Sequence, residues 1–411
     1  MNTAPPASSA PVLPAHSDGC SGCGLCESVC PKGAIRMLED NAGFLRPVVD
    51  TERCIFCKVC EKYCHKLTAI TPPAHTPNCY AGYAKDSDIR RESTSGGIIS
   101  TLARCIIRKG GIVFAVSEED NTDARYICVE TEDDLPKLRG SRYVQAYPSK
   151  VYKSLRARLR EQRPVLFIGL PCQCRALRAL LGNEEPNLYC IDLACFGVPS
   201  RQLSRAWSRR LEKENDPIAR LIYRDKSQGW RAHGTAVRYR SGYVQHIAPA
   251  DDIFSWLFGS GLALCDSCYP CNRRLNQRVS DISAGDYWGN REFDAADEFS
   301  GLSSVAVHTA KGARLLQEAN EELNLISLTL ADIERQNSGM REPCRAKPEA
   351  RCDFLRELPS RSCSELTSRF CSGRKAYHLF GVRLVPGHSI AAMKQTVHRG
   401  LSSLIRFFRH R

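Results

Sequence analysis

Cys20-Ser21-Gly22-Cys23-Gly24-Leu25-Cys26-Glu27-Ser28-Val29-Cys30-Pro31 is echoed by Cys54-Ile55-Phe56-Cys57-Lys58-Val59-Cys60-Glu61-Lys62-Tyr63-Cys64-His65. In each run three cysteines stand three residues apart and a fourth follows four residues later. Three thiolates so spaced on a tight loop reach three corners of one iron–sulfur cube. The fourth opens a helix aimed at the other cube. The expected ligand sets are Cys20, Cys23, Cys26 and Cys64 for one cluster, and Cys54, Cys57, Cys60 and Cys30 for the other. Gly22 and Gly24 let the loop turn close to the inorganic sulfurs. Zinc takes its four ligands from two C-x-x-C pairs and has no use for the rest of this pattern. Residues 18–72 therefore read as an α+β, ferredoxin-like module with two 4Fe–4S clusters. His65 stands where a proline is usual, which bears on the potential of one cluster and not on its ligands. Such cluster pairs move single electrons, so the rest of the chain must put those electrons to use.

The chain has 411 residues, too many for one ferredoxin. Of its 22 cysteines, eleven sit in C-x-x-C runs, which read as metal ligands in a reducing cytosol and not as a disulfide framework. No apolar run of 18 residues exists, so no transmembrane helix is expected. Residues 1–17, rich in Ala, Pro and Ser, lack a basic start and an apolar segment; they read as a disordered leader and not as a secretory signal. The net charge of +13 is uneven: residues 341–411 hold 15 Lys and Arg against 5 Asp and Glu. The nearly neutral remainder argues against binding nucleic acid.

Residues 76–330 read as a mixed α/β body in two parts, 76–160 and 161–330. Ser93-Thr94-Ser95-Gly96-Gly97 precedes a helical stripe of Ile98, Ile99, Leu102, Cys105 and Ile106, with a strand at Ile112–Val116. A loop rich in hydroxyls and glycine at a helix start is either a phosphate cradle or an ordinary Ser/Thr cap. Val165–Ile168 reads as a buried strand running into Gly169-Leu170-Pro171-Cys172-Gln173-Cys174 and a helix with Leu177, Leu180 and Leu181. Leu188–Leu193 repeats the plan into Cys195-Phe196-Gly197-Val198-Pro199-Ser200. Both put a cysteine just past a strand's C-terminal end, where open α/β sheets bind ligands; equally, Cys172 and Cys195 suit small buried hydrophobes. Cys265, Cys268 and Cys271 lack a fourth metal ligand nearby, and Cys172 or Cys195 is the expected partner. A third 4Fe–4S cluster and a structural zinc both fit. Asp281-Ile282-Ser283-Ala284-Gly285-Asp286-Tyr287-Trp288-Gly289 follows.

These stretches, with Gly140-Ser141-Arg142-Tyr143-Val144-Gln145 and Tyr223-Arg224-Asp225-Lys226, run in the order seen in one family. The body resembles the family of coenzyme F-420 hydrogenase/dehydrogenase beta subunits over residues 78–310. The resemblance implies a flavoprotein oxidoreductase with FAD beside iron–sulfur clusters. It places cofactor-binding residues at Ser93, Thr94, Ser95, Gly96, Gly97, Gly169, Gln173 and Trp288, and catalytic ones at Cys172, Lys226 and Asp286. Implied partners are a ferredoxin-like electron carrier and a small-molecule or glycan substrate, the latter through a cell-surface polysaccharide pathway. Where the family usually has Gly-Thr-Pro-Cys, this chain has Gly169-Leu170-Pro171-Cys172, losing a hydroxyl available to flavin or substrate. No Gly-x-Gly-x-x-Gly fingerprint supports a Rossmann-type nicotinamide site.

Residues 331–411 read as a basic tail. Its Cys344, Cys352, Cys363 and Cys371 fit no metal spacing. Within Ser389–Arg411, Ile390, Met393, Val397, Leu401, Leu404, Ile405 and Phe408 share one helical face, with Lys394, Arg399, Arg406, Arg409 and Arg411 around them. This basic amphipathic helix either lies on an anionic inner-membrane surface or docks on the body. The chain thus reads as a cytoplasmic enzyme, peripheral at the membrane. Competing classes are an electron-transfer subunit with no substrate of its own and a redox-sensing regulator.

Overall fold

The computed structural model describes residue 13, residues 19–120, 123–148, 151–272, 274–289, 293–341 and 346–371, and the hairpin of Tyr377–Leu379 and Val382–Leu384. In the N-terminal module, strands β1 (Ile35–Glu39) and β2 (Leu45–Val49) form an antiparallel hairpin between two short helices, Leu25–Val29 and Val59–Lys62. The two cysteine loops fold alike. Gly22 (φ 66°) and Gly24 (φ 72°) in the first occupy the left-handed conformation that Phe56 (φ 54°) and Lys58 (φ 58°) occupy in the second.

The body's strands are β3 (Asn78–Ala84), β4 (Ile112–Asp120), β5 (Asp123–Val129), β6 (Val165–Gly169), β7 (Leu188–Leu193), β8 (Ile218–Asp225), β9 (Gly234–Tyr239), β10 (Val244–Ile247), β11 (Ile282–Asp286), β12 (Ser303–Val307) and β13 (Leu323–Leu328). Eight of them form one sheet in the order β13-β3-β12-β11-β7-β6-β4-β5. Its centre, β11-β7-β6-β4, is parallel, and its flanks are antiparallel. Every residue of β6 is buried, as a central parallel strand covered on both faces requires. The parts expected at 76–160 and 161–330 interleave, because β3 pairs with β12 and β13 while β4 pairs with β6. Helix Ile98–Arg108 buries Ile98, Leu102, Cys105 and Ile106 on the sheet, the stripe its sequence periodicity predicts. A smaller antiparallel sheet, β10-β9-β8, packs with helices Arg201–Leu211 and Ile253–Gly259 around Trp207, Phe254 and Phe258.

The reading of 331–411 as a separate tail is corrected in its first half. Helices Arg351–Glu357 and Cys363–Phe370 seal this aromatic core with Phe354, Leu355, Cys363 and Leu366, so those residues complete the body. Cys363 and Cys371 are buried and Cys352 is exposed. Cys344, the leader apart from residue 13 and Gly19, and the expected helix Ser389–Arg411 lie outside the described residues. Among the described residues, no helix is long and apolar enough to cross a membrane.

The module is fastened to the body by a shared core and a set of buried polar contacts. Phe44 enters the aromatic core, and Leu25 packs with Tyr152, Leu155 and Phe167. Arg201 donates to the Glu39 carboxylate (3.2 Å), the Gln145 carbonyl (3.0 Å) and the Asp123 carboxylate (2.7 Å). Tyr152 donates to the carbonyl of Cys23 at 3.0 Å, and Arg46 of the module pairs with Asp266 of the body at 3.7 Å.

Candidate active-site cleft

A cleft of about 690 Å³ opens at the C-terminal edge of the parallel strands. It is lined by Val116 in β4, just past its parallel pairing with β6, by Gly169 at the end of β6, Leu193 at the end of β7 with Ala194 after it, and Asp286 at the end of β11. This edge is where loops between strands and helices leave free backbone groups, and the volume suits one cofactor-sized molecule. Ser21 and Gly22 of the first cysteine loop also line it. One cavity is thus walled by the cluster module and by the body.

Of the sequence-derived site residues, Ser93, Thr94, Ser95, Gly97, Gly169, Cys172, Gln173, Cys195, Asp286 and Trp288 line the cleft. The helix Ile98–Arg108 is capped by Gly97 (φ 85°) with no side-chain cap bond, so the ordinary Ser/Thr cap is not what the loop forms. Its hydroxyls serve the loop itself: Ser95 donates to the Leu302 carbonyl (2.5 Å), Ser93 pairs with Ser100 (3.3 Å), and Ser141 donates to Thr94 (3.2 Å). Gly96 corrects the expectation of a ligand-facing glycine. Its N–H goes to the Ser303 hydroxyl (2.9 Å), and a Cβ there would lie 2.5 Å from the Gly82 carbonyl oxygen. It is a packing glycine between β3 and β12.

Lys226 is also absent from the cleft wall. Its ammonium donates to the carbonyls of Arg90 (2.6 Å), Ser95 (3.0 Å) and Ser300 (2.9 Å). Three acceptors match the three N–H bonds of the charged form. Burial, with Arg90 and Arg224 nearby, pulls its pKa down to about 7. Its geometry is that of a clamp behind the Ser93–Gly97 loop.

Asp286 is 9% exposed and receives two bonds from Arg224, at 2.6 and 3.1 Å. Arg224 lies 5.4 Å from the Trp288 ring, which stacks on Trp230 with centroids 4.2 Å apart. Arg224 has a left-handed backbone (φ 58°), a cost held in place by this packing. Tyr143, beside Arg224 in the cleft wall, has its phenol pushed up to about 12 by burial and stays protonated. Gln173 accepts from Tyr126 and from the Leu170 N–H, both at 2.7 Å. Leu170, where the family usually has threonine, packs against the aromatic core.

The sequence expectation paired Cys265, Cys268 and Cys271 with one of Cys172 and Cys195. Burial pushes the Cys172 thiol well above its usual range, and Cys195, Cys271 and the module's Cys23 are its closest electrostatic neighbours. Cys268 accepts the Val198 N–H at 3.3 Å and lies within reach of both Cys265 and Cys195. Cys265 instead faces the module, 3.6 Å from the Cys20 carbonyl oxygen. Its hydrogen bond with Cys268 lowers its pKa, aided by Arg46. Cys172 thus neighbours Cys195 and Cys271, and Cys268 neighbours Cys265 and Cys195, while Cys265 also reaches toward Cys20. Among the described residues, no three His, Cys, Asp or Glu side chains are gathered tightly enough for a single metal ion. A cube spreads its four thiolates over its corners, so it asks for a looser gathering than zinc does.

Sequence reasoning missed Arg224, Arg231, Ser141 and Arg142 as site residues, although all but Arg231 lie in stretches that the family order singles out. It also missed Arg335, Gln336, Asn337, Ser338, Gly339 and Arg341, which no motif flagged.

Models of the coenzyme F-420 hydrogenase/dehydrogenase beta subunit match this chain, the N-terminal model over residues 79–153 and the C-terminal model over 162–332. The chain belongs to this family. A 4Fe-4S dicluster domain matches residues 19–67, making it an iron–sulfur member of a family of oxidoreductases. A subunit of the F(420)H(2) dehydrogenase of Methanosarcina mazei is 25% identical over 319 residues, which span 75% of this chain and 84% of the relative. An uncharacterised protein of Methanocaldococcus jannaschii is 22% identical over 198 residues, 41% of this chain and 54% of that protein. Among solved structures, a chain of the F-420-reducing NiFe hydrogenase complex of Methanosarcina barkeri is 17% identical, with a TM-score of 0.45, covering 74% of this chain and 97% of that one.

Proposed function

We propose that this chain is an oxidoreductase in which electrons pass between the two module clusters and an FAD held in the cleft, where a small-molecule substrate is reduced or oxidised. One observation carries the reading: Ser21 and Gly22, in the ligand loop of the inner cluster, share a cavity wall with Ser93, Ser95, Gly169, Cys172, Asp286 and Trp288. A redox group in that cavity stands next to a cluster.

The wall fits a flavin. Four arginines, Arg139, Arg142, Arg224 and Arg231, and one acid, Asp286, are among the described residues lining it outside the segment 335–341, which suits a diphosphate. Trp288, backed by Trp230, offers an aromatic surface to a planar ring. Bound flavin would supply the conversion between one-electron and two-electron transfer. The chain's own residues hold and orient: Lys226 fixes the Ser93–Gly97 loop, and Arg224 holds the Asp286 carboxyl in place at the cleft wall with two hydrogen bonds. Cys172, Cys195, Cys268 and Cys271 would hold a third 4Fe–4S cluster, with Cys172 near Cys23 linking it to the module.

The second reading, an electron-transfer subunit of a larger complex, is favoured by the name of the Methanosarcina mazei relative, which is a component of a dehydrogenase. The cleft favours the first, since a mere relay needs no cavity of this size. A ferredoxin-like carrier is the partner at the module in either reading. The glycan substrate and the membrane contact through Ser389–Arg411 remain proposals that rest on the sequence alone.

Anaerobically purified chain should carry about twelve iron atoms in three cubes and release a fluorescent flavin on denaturation. Iron limited to two cubes removes the third cluster. Absence of flavin, with none taken up from added FAD, removes the flavin reading.

A further inference from the structure

The family models end at residue 332, yet the cleft is closed by residues beyond that point. Arg335, Gln336, Asn337, Ser338, Gly339 and Arg341 line it from helix Leu330–Gln336 and the short turn Ser338–Arg341.

The segment is built in. Asn337, 8% exposed, donates to the Asp286 carbonyl (3.1 Å) and accepts the Gly339 N–H (3.0 Å). Arg278, itself in a buried pair with Asp192 at 2.7 Å, donates to the Gly339 carbonyl at 3.0 Å. A Cβ on Gly339 would sit 3.2 Å from the Cys195 nitrogen, so the turn lies directly on the Cys195 loop. Met340 is fully buried. Asn337, Gly339 and Met340 thus anchor the segment, while Arg335 and Arg341 are exposed at the cleft. Among the described residues Arg335 pairs with Asp332 at 3.4 Å, and its side chain is 60% exposed. Such a surface pair costs little to exchange for another anion.

We infer that Arg335 and Arg341 are specificity-determining residues that read an anionic group, phosphate or carboxylate, on the substrate entering the cleft. This rests on the cleft being the active site. Its logic is positional: residues 93–289 supply the proposed redox site, and the segment that follows the family models supplies two cations at the opening. Arginine's planar fork suits bidentate recognition of either oxyanion.

The test uses full-length, iron-loaded protein saturated with FAD, titrated calorimetrically with inorganic pyrophosphate and, separately, with citrate. In the Arg335→Gln/Arg341→Gln double variant, affinity for at least one of them should fall by roughly tenfold or more, the loss of two charged hydrogen bonds. Whichever anion responds names the oxyanion class. FAD uptake and iron content should match the wild type. Arg356→Gln, on a remote and exposed helix position, should change nothing. Unchanged affinity for both anions overturns the inference. So does a parallel fall in FAD uptake, because the arginines would then hold the cofactor. Failure of the functional reading shows separately, as wild-type protein that takes up no FAD.

Discussion

The two cysteine loops of the module adopt the same backbone and face opposite worlds. In the first, the left-handed positions are Gly22 and Gly24; in the second they are Phe56 and Lys58. The difference follows from what lies outside each loop. A Cβ on Gly22 would meet Gln145 Nε2 at 2.2 Å and the Leu45 carbonyl oxygen at 2.8 Å, and one on Gly24 would meet Pro148 at 2.6 Å. The second loop has room for side chains: Lys58 and Cys57 are exposed, and Ile55 is 55% exposed. One loop is therefore docked against the body and its cleft, and the other is presented to the outside. In the proposed electron path, the outer loop is where a carrier meets the chain and the inner loop is where electrons leave the module.

Substitution should separate the loops. Gly22→Ala or Gly24→Ala combines a left-handed alanine with a backbone or proline clash, and should cost about 1–3 kcal/mol. Phe56→Gly or Lys58→Gly relieves a strained position on an open surface and should stay within about 1 kcal/mol of the parent. Thermal unfolding of the four iron-loaded variants checks this; equal losses on both sides would remove the distinction between docked and open loops. A comparable effect is expected where the body holds its own loop. Lys226→Met leaves three carbonyls without their shared donor and should cost about 2 kcal/mol. FAD uptake, measured by fluorescence quenching, should weaken with it. Unaltered uptake would mean that the clamp does not shape the cleft.

The same contrast explains what could be read from the sequence. The module's ligands sit in two contiguous runs, because each cube takes three thiolates from one loop, so spacing alone revealed both clusters. Strands β6 and β7 were legible for a similar local reason, each being an apolar run ending at a loop with cysteine. The cleft is assembled from chain segments more than 300 residues apart, Ser21 to Arg341, and no local pattern encodes that meeting. Gly96 and Lys226 were recognisable as unusual residues in the right loops. Their roles became visible only once Ser303 and the three carbonyls were in place. The segment 335–341 has no periodic or motif signature; its burial of Asn337 and Met340 is a tertiary fact.

The most direct measurement follows flavin absorbance after rapid mixing of the FAD-loaded chain with a reduced two-cluster ferredoxin, for the parent and Cys57→Ser. The variant removes a proposed ligand of the outer cluster, at a position outside the cleft wall. Flavin content should be equal in the two, and bleaching in the variant slower by about tenfold or more. Bleaching at the parental rate would show that electrons reach the cleft without the outer cluster and would contradict the proposed path.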